Sequence, residues 1–485
     1  MKVNNQILAL ILIGLISVYS NCSKTRKPDN SNINPGEQTN QGSGAVVDSW
    51  VTTGNQFALL QKPSNPLTFT NPVNSNATIE VDSATKYQTI DGFGYTLTGG
   101  SATLINQLGN STKTELLQEL FGNSTNSIGI SYLRVSIGAS DLSSTVFSYD
   151  DRPAGQTDVN LTHFNLALDT VDLIPVLKQI LAINPSIKIL GSPWSPPDWM
   201  KDNGNSKGGS LLPQYYDAYS RYFVKYVLAM KAKGITIDAI TPQNEPQHGG
   251  NNPSMVMSAG QQADFIKNNL GPAFKSNNIT TKIIIWDHNC DNPQYPITIL
   301  NDPAAKAFVN GSAFHLYAGD VSAFATVHNA HPDKDLYFTE QWTGANDGFA
   351  GDLKWHVKNV IIGTIRNWSK VALEWNLASD PAWNPHTPGG CTECKGALTI
   401  NGSNITRNVS YYIIAHASKF IPPGSVRVAS NNVGDLNNVA FVTPEGKKVL
   451  IVVNDGTAIT PFNIKFKGNW TTTTLEGGAV GSYTW

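Results

Sequence analysis

The sequence predicts a closed (β/α)8 TIM barrel, in the α/β class, with a side β-sandwich built from both chain ends. Three observations carry that expectation. Between Tyr87 and Ile421, short β-branched runs alternate eight times with amphipathic helical stretches, the pattern of parallel βα units. No glycine-rich phosphate fingerprint follows the first run: Gly92-Phe93-Gly94 lacks the third glycine and opens no helix, which disfavours the alternative, an open doubly wound sheet. The flanking segments read as short strands parted by turn residues such as Asn454-Asp455-Gly456. The expected organisation is a signal segment at 1–22, a tether at 23–45, a sandwich from 46–86 plus 422–485, and a barrel at 87–421.

The elements follow in order. Strands are expected at Gln88–Tyr95, Ser131–Ile137, Ile187–Ser195, Ile237–Thr241, Lys282–Asp287, Ala313–Tyr317, Leu336–Thr339 and Val371–Trp375. The matching helices are Ser111–Phe121, Leu166–Ile183, Gln214–Lys233, Gly260–Lys275, Ile297–Val309, Val321–Ala330, Leu353–Trp368 and, after a long loop, Ser410–Phe420. For the sandwich the runs are Phe57–Gln61, Thr78–Val81, Val426–Ala429, Val439–Thr443, Lys448–Val453, Phe462–Phe466 and Ser482–Trp485.

The apolar run Ile7–Val18 follows Lys2 and is shorter than the ~20 residues that a spanning helix needs, so it reads as a secretory signal. Cys22 stands where a bacterial lipoprotein signal places its lipidated cysteine. That gives an expected lipid anchor on a cell-surface or periplasm-facing outer-membrane protein; an ordinary signal with an incidental cysteine is the alternative. Residues 23–44 are rich in Asn, Pro, Ser and Gly, a composition suited to a tether.

Lys+Arg 34 against Asp+Glu 36, and charged residues at 14% of the chain, leave no basic footprint for nucleic acid. With 41 glycines, 11 tryptophans and 16 tyrosines, such a surface suits uncharged, hydroxyl-rich ligands. No cofactor and no metal are expected. Cys391 and Cys394 read as a tight disulfide or as half of a zinc site, and the second pair that zinc would need is missing.

The active site of such a barrel lies at the C-terminal ends of its strands. There Glu245 closes the fourth strand and Glu340 the seventh, while Glu374 sits on the eighth. Two carboxyl groups facing each other across a barrel mouth are what glycoside hydrolysis requires, one to protonate the leaving oxygen and one to attack. Trp194, Trp199 and Trp375 offer flat faces for sugar rings, or pack in the core. Arg134 is placed to keep Glu340 ionised. Asn244 is placed for a sugar hydroxyl, and His315 and Tyr317 for the nucleophile. Asp287-His288 reads as rim packing or substrate contact.

At these residues the chain resembles glycoside hydrolase family 30, the family of glucosylceramidases and β-1,6-glucanases. The resemblance rests on Asp91-Gly92-Phe93-Gly94, Leu133-Arg134-Val135, Ser192–Lys201, Gln243-Asn244-Glu245-Pro246, Phe338-Thr339-Glu340 and Ser418–Arg427. It implies that Glu245 is the acid/base and Glu340 the nucleophile of a retaining mechanism. It also implies that Arg134, Asp141, Trp194, Asn244, Tyr317 and Trp375 hold the sugar. Leu142 and Leu316 stand where glucosylceramidases carry Phe and Trp. Together with Gly208–Leu211 and Trp286–Asn289, they place the chain nearer the β-1,6-glucanase branch.

The expected protein is therefore a monomeric retaining hydrolase of β-glucan oligo- or polysaccharides, with the membrane reached only through Cys22. In the expected site Glu245 holds a proton and Glu340 is ionised. The alternatives are a glucosylceramidase and, in another class, a non-catalytic glycan-binding lipoprotein, which has no need of the two glutamates.

Overall fold

The computed structural model describes residues 44–485. The expected signal segment, Cys22 and nearly all of the tether lie outside the described residues. Eight parallel strands close a barrel: Gly92–Thr96, Tyr132–Ser136, Lys188–Ser192, Ala239–Ile240, Lys282–Cys290, Val309–Gly319, Asp335–Glu340 and Ser369–Asn376. The eighth pairs back onto the first, with Val371 opposite Gly92.

Successive side chains of a strand point to opposite faces, so every second residue enters the barrel. Tyr132, Leu190, Ala239, Ala313, Tyr337 and Leu373 meet in one apolar cluster inside it. Two residues further along the same strands stand Arg134, Ser192, Thr241, His315, Thr339 and Trp375, all buried. The polar floor of the site is thus one step of the strand period above an apolar plug. On the fifth strand the alternation breaks. Trp286 (φ 75°) and Asp287 (φ 60°) are left-handed, and the pairing with the sixth strand slips between Trp286 and His288. This bulge sends Trp286 outward against Tyr295 (ring centroids 4.4 Å apart) and lets Asp287 join the inward layer.

Two helices start or stop where backbone chemistry dictates rather than where periodicity suggests. The helix expected from Leu166 begins at Leu173, because that start leaves Pro175 in the first turn, where its missing N–H needs no partner. The stretch expected as Ile297–Val309 forms two short helices, Gln294–Leu300 and Pro303–Lys306. The second is capped by Asp302, and Val309 already belongs to the sixth strand.

The sandwich strands come from both ends of the described chain: Val46–Thr52, Leu67–Thr68 and Ala77–Thr89, then Val426–Ser430, Leu436–Val442, Lys448–Asn454, Thr460–Phe466, Asn469–Leu475 and Val480–Thr484. Ala77–Thr89 pairs parallel with Thr460–Phe466 over its first five residues, and antiparallel with Val426–Ser430 over the rest. Gln88 and Thr89 therefore belong to this strand, and the first barrel strand starts at Gly92. Phe57–Gln61 is a loop in which Phe57 is 89% exposed, bridged only at Gln61 to Val51. Val46–Thr52 takes the strand position instead.

The last helix, Val409–Ser418, joins the two layers. Its His416 bonds Ser482 Oγ and Thr52 Oγ1, each at 2.8 Å, and burial pulls this imidazole down to about 3, so it is neutral. Among the described residues no helix is long and apolar enough to cross a membrane.

Candidate active site

Glu245 follows the fourth barrel strand in a left-handed conformation (φ 46°), held by its N–H on the Asp287 carbonyl (3.0 Å). A non-glycine residue in this region costs on the order of 1–3 kcal/mol and persists only where its surroundings fix it. Glu340 ends the seventh strand. One oxygen of each carboxyl group and a ring nitrogen of His315 lie within 4.8 Å of one another.

Glu340 is held on both oxygens: Arg134 Nη1 donates to Oε2, and the Tyr317 hydroxyl donates to Oε1 at 2.9 Å. Glu245 Oε1 faces His315 Nδ1 at 3.1 Å, and the other ring nitrogen of His315 faces Asp287 Oδ1 at 3.1 Å. Asp287 is the hub below them. It also accepts from Arg134 (2.8 Å), Ser192 (2.7 Å), Thr241 (2.8 Å) and Thr339 (2.7 Å). Arg134 further donates to Asn244 Oδ1 (2.6 Å), which leaves the Asn244 amide N–H groups as donors for a ligand.

Above this floor opens a pocket of ≈ 310 Å³, lined among others by Asp141, Trp194, Glu245, His288, Tyr317, Glu340, Trp342, Trp375 and the Cys391–Cys394 disulfide. Trp194 and Trp375 stack at 5.3 Å between centroids, with the Arg134 guanidinium 4.8 Å from the Trp194 ring. The disulfide loop packs on both tryptophans and on Leu142, and its Cys391 N–H donates to Asp141 Oδ2 at 3.3 Å.

The charges of this network decide its protonation. Burial pushes the Asp287 carboxyl up, but Arg134 and His315 outweigh it and hold Asp287 well below the usual carboxylate range. Burial lowers His315, yet Glu340 and the hydrogen bonds to Asp287 and Glu245 carry it up to about 9, so it is an imidazolium at neutral pH. Burial raises Glu245 as well, and the hydrogen bond and charge of His315 bring it below its ordinary value. Burial leaves Glu340 raised, supported by the Glu245 and Asp287 charges against His315 and Arg134. The shifts thus run opposite to those expected for the free site, with Glu245 lowered and Glu340 raised. The cause is His315, which bonds Glu245 at 3.1 Å and stands 3.7 Å from Glu340. Asp141, beside Glu340, is pushed up to about 7, chiefly by burial.

This arrangement can be set beside known proteins. The chain matches "Glycosyl hydrolase family 30 TIM-barrel domain" over residues 90–421 and "Glycosyl hydrolase family 30 beta sandwich domain" over residues 424–483. This chain belongs to glycosyl hydrolase family 30. It is 36% identical over 419 residues to Endo-1,6-beta-D-glucanase of Neurospora crassa, covering 81% of this chain and 85% of that protein. It is 29% identical over 425 residues to Lysosomal acid glucosylceramidase of Mus musculus, covering 82% of each. Among solved structures, the endo-beta1,6-glucanase BT3312 superposes with a TM-score of 0.84 at 34% identity, over 91% of this chain and 99% of that one. The protein is a glycoside hydrolase.

Most of the residues singled out in this family 30 sequence converge on the pocket. Glu245, Glu340, Arg134, Asn244, His315 and Tyr317 form the network, and Trp194, Trp375 and Asp141 line its wall. Three residues named from the sequence take places outside the pocket wall. Trp199 turns away, donating its indole N–H to the Asp150 carbonyl (2.9 Å) and packing edge-on against Tyr215. Glu374 points to the barrel's outer side, where it accepts from His356 Nδ1 at 2.8 Å. Asp287 is the buried hub rather than a rim group.

Ser192, Thr241 and Thr339 are the partners that sequence reasoning missed. Each is a polar residue on the inward face of a parallel strand whose neighbours are apolar, and that signal is visible in the sequence. Glu245, His315 and Glu340 have the donor types for a metal. The ring nitrogens of His315 already face Glu245 and Asp287, each at 3.1 Å.

Proposed function

We propose that the protein is a β-1,6-glucanase that works by double displacement, with Glu340 as nucleophile and Glu245 as acid/base. The carrying observation is the pair itself. One oxygen of each carboxyl group lies within 4.8 Å of the other, on the side of the ~5–5.5 Å of retaining enzymes rather than the ~6.5–9.5 Å that spans an inverting water. The two groups sit in a tryptophan-walled pocket in a chain at 34–36% identity to three fungal endo-1,6-β-glucanases. Leu142 and Leu316 support a glucan rather than a lipid-linked substrate.

In this reading a sugar ring stacks on the tryptophan wall, while Asn244 and Asp141 bind its hydroxyls. The pair needs one proton between its two members. With it on Glu245, Glu340 attacks the anomeric carbon while Glu245 protonates the leaving oxygen; Glu245 then activates water against the glycosyl-enzyme.

Azide tests the roles. Glu340→Ala should lose turnover and, with azide, give an α-configured azide by direct attack from the vacated face. Glu245→Ala should keep activity on substrates with good leaving groups, and with azide give the β product. Opposite stereochemistry reverses the roles, and full activity in both variants removes the pair from catalysis. Product analysis on linear β-1,6-glucan, laminarin and glucosylceramide in parallel tests the substrate. Oligosaccharide ladders from the first mark interior cleavage, glucose alone marks terminal cleavage, and release from glucosylceramide only refutes the glucan reading.

We also infer that the protein is a monomer, exported and lipid-anchored through Cys22. Cys22→Ala should release it from membranes, and a wild-type protein already free in periplasm or medium refutes the anchor.

A further inference from the structure

On the loop after the second barrel strand, away from the two glutamates, Asp150 is 1% exposed and no hydrogen-bond donor reaches either of its carboxylate oxygens. A buried, unpartnered carboxylate is costly unless a counter-charge compensates it. One oxygen of Asp150, one of Asp158 and one ring nitrogen of His163 lie within 4.8 Å of one another. Asp158 is also buried, with Oδ2 at 2.8 Å from His163 Nδ1. Arg152, in the same loop, donates to Gln156 Oε1 at 3.2 Å.

We propose that Asp150, Asp158 and His163 form a structural site for a divalent cation of the zinc–manganese class. Bond lengths of about 2.0–2.2 Å in tetrahedral geometry put ligand atoms roughly 3.3–3.6 Å apart. Small side-chain adjustments therefore close the observed triangle around an ion. Two carboxylates and one imidazole favour a borderline transition metal over calcium, which takes six to eight oxygens.

The cation supplies a ligand bond to the Asp150 oxygens, which accept no hydrogen bond. It also ties the segment from Asp150 to His163 into a closed loop. Because the Asp150 carbonyl accepts the indole N–H of Trp199, that loop in turn braces the segment after the third barrel strand, which carries Trp194.

The test is titration of zinc chloride into the full chain after chelator treatment, with manganese and calcium chloride as parallel arms. One equivalent should bind at micromolar affinity or tighter and raise the unfolding temperature. Asp150→Asn keeps the shape of the side chain while removing its charge, and His163→Ala trims a half-exposed ring; each should weaken zinc more than about tenfold. Glu340→Gln should bind zinc like wild type, which separates this site from the catalytic cluster. Absence of zinc or manganese binding overturns the proposal, as does calcium binding alone. So does zinc binding that survives Asp150→Asn but is lost in Glu340→Gln.

Discussion

Asp287→Asn perturbs the site at its hub while leaving every reacting atom in place. The carboxylate is fully buried and accepts from Arg134, His315, Ser192, Thr241 and Thr339. An amide keeps the shape, but it loses the charge and turns an N–H₂ group toward donors. Removing one partner of a buried charge pair costs on the order of 3–5 kcal/mol. Unfolding the roughly 440 described residues carries about 0.9 kcal/mol per kelvin of entropy, so the melting temperature should fall by about 4 °C at pH 6.

The loss should depend on pH, with a definite sign. The His315 pKa rises on folding, so its contribution is complete below the unfolded value of about 6.5 and is lost as the pH climbs through about 9. The Asp287 pKa falls on folding, so its contribution is present above an unfolded value of about 3.9 and is lost only in acid. The variant's deficit should therefore be largest between about pH 5 and 6.5. Toward pH 9, where His315 is losing its charge in wild type too, it should shrink by on the order of 1 kcal/mol. Calorimetry of both proteins from pH 5 to 9 reads this directly. A deficit that is flat across the range refutes a charged His315, and one below about 1 kcal/mol refutes the uncompensated-charge argument.

Tyr317→Phe removes the 2.9 Å hydrogen bond to Glu340, of a kind worth about 1.5–3 kcal/mol when the acceptor is charged. Accordingly kcat/KM should drop roughly 10- to 150-fold with an unchanged fold, and the acid limb of the pH profile should move upward; a loss under threefold contradicts the assigned contact. Replacing both Cys391 and Cys394 by Ser opens a four-residue loop worth about 2 kcal/mol in chain entropy. The melting temperature should fall by about 2 °C while an aryl β-glucoside is still cleaved. Activity that returns only on adding zinc would show that the two sulfurs serve a metal.

The barrel was legible because its eight strands are short β-branched runs at regular intervals, and the rule for the C-terminal rim then singled out Glu245 and Glu340. The limits of that reading are physical. Glu374 lies on the eighth strand near the same rim, yet it turns outward to His356. Its neighbour Trp375 is the residue that enters the barrel, so strand alternation separates the two. Asp287 was misplaced for a related reason: two left-handed residues shift the fifth strand's alternation, and no residue preference announces positive φ at Trp286. The start of the third-strand-preceding helix at Leu173 was readable from Pro175. The pairing of Phe57–Gln61 was not, since its strand-like composition meets no sheet edge beyond Gln61.

The opposite shifts of the two glutamates follow from the same network and bear on the second half of the proposed reaction. The floor carries two cations, Arg134 and His315, against Asp287 and the glutamate pair. While Glu340 is an anion it supports the charge on His315 and opposes that on Glu245. Esterification of Glu340 by the sugar removes that anion. The imidazolium, now facing only Glu245 and Asp287, pulls the Glu245 carboxyl further toward its ionised form. The group that has just given up its proton is then held as a carboxylate, which is the state needed to deprotonate water. In this scheme the 0.6 Å difference between the distances from His315 to the two carboxylates, 3.1 Å and 3.7 Å, selects which of them becomes the base.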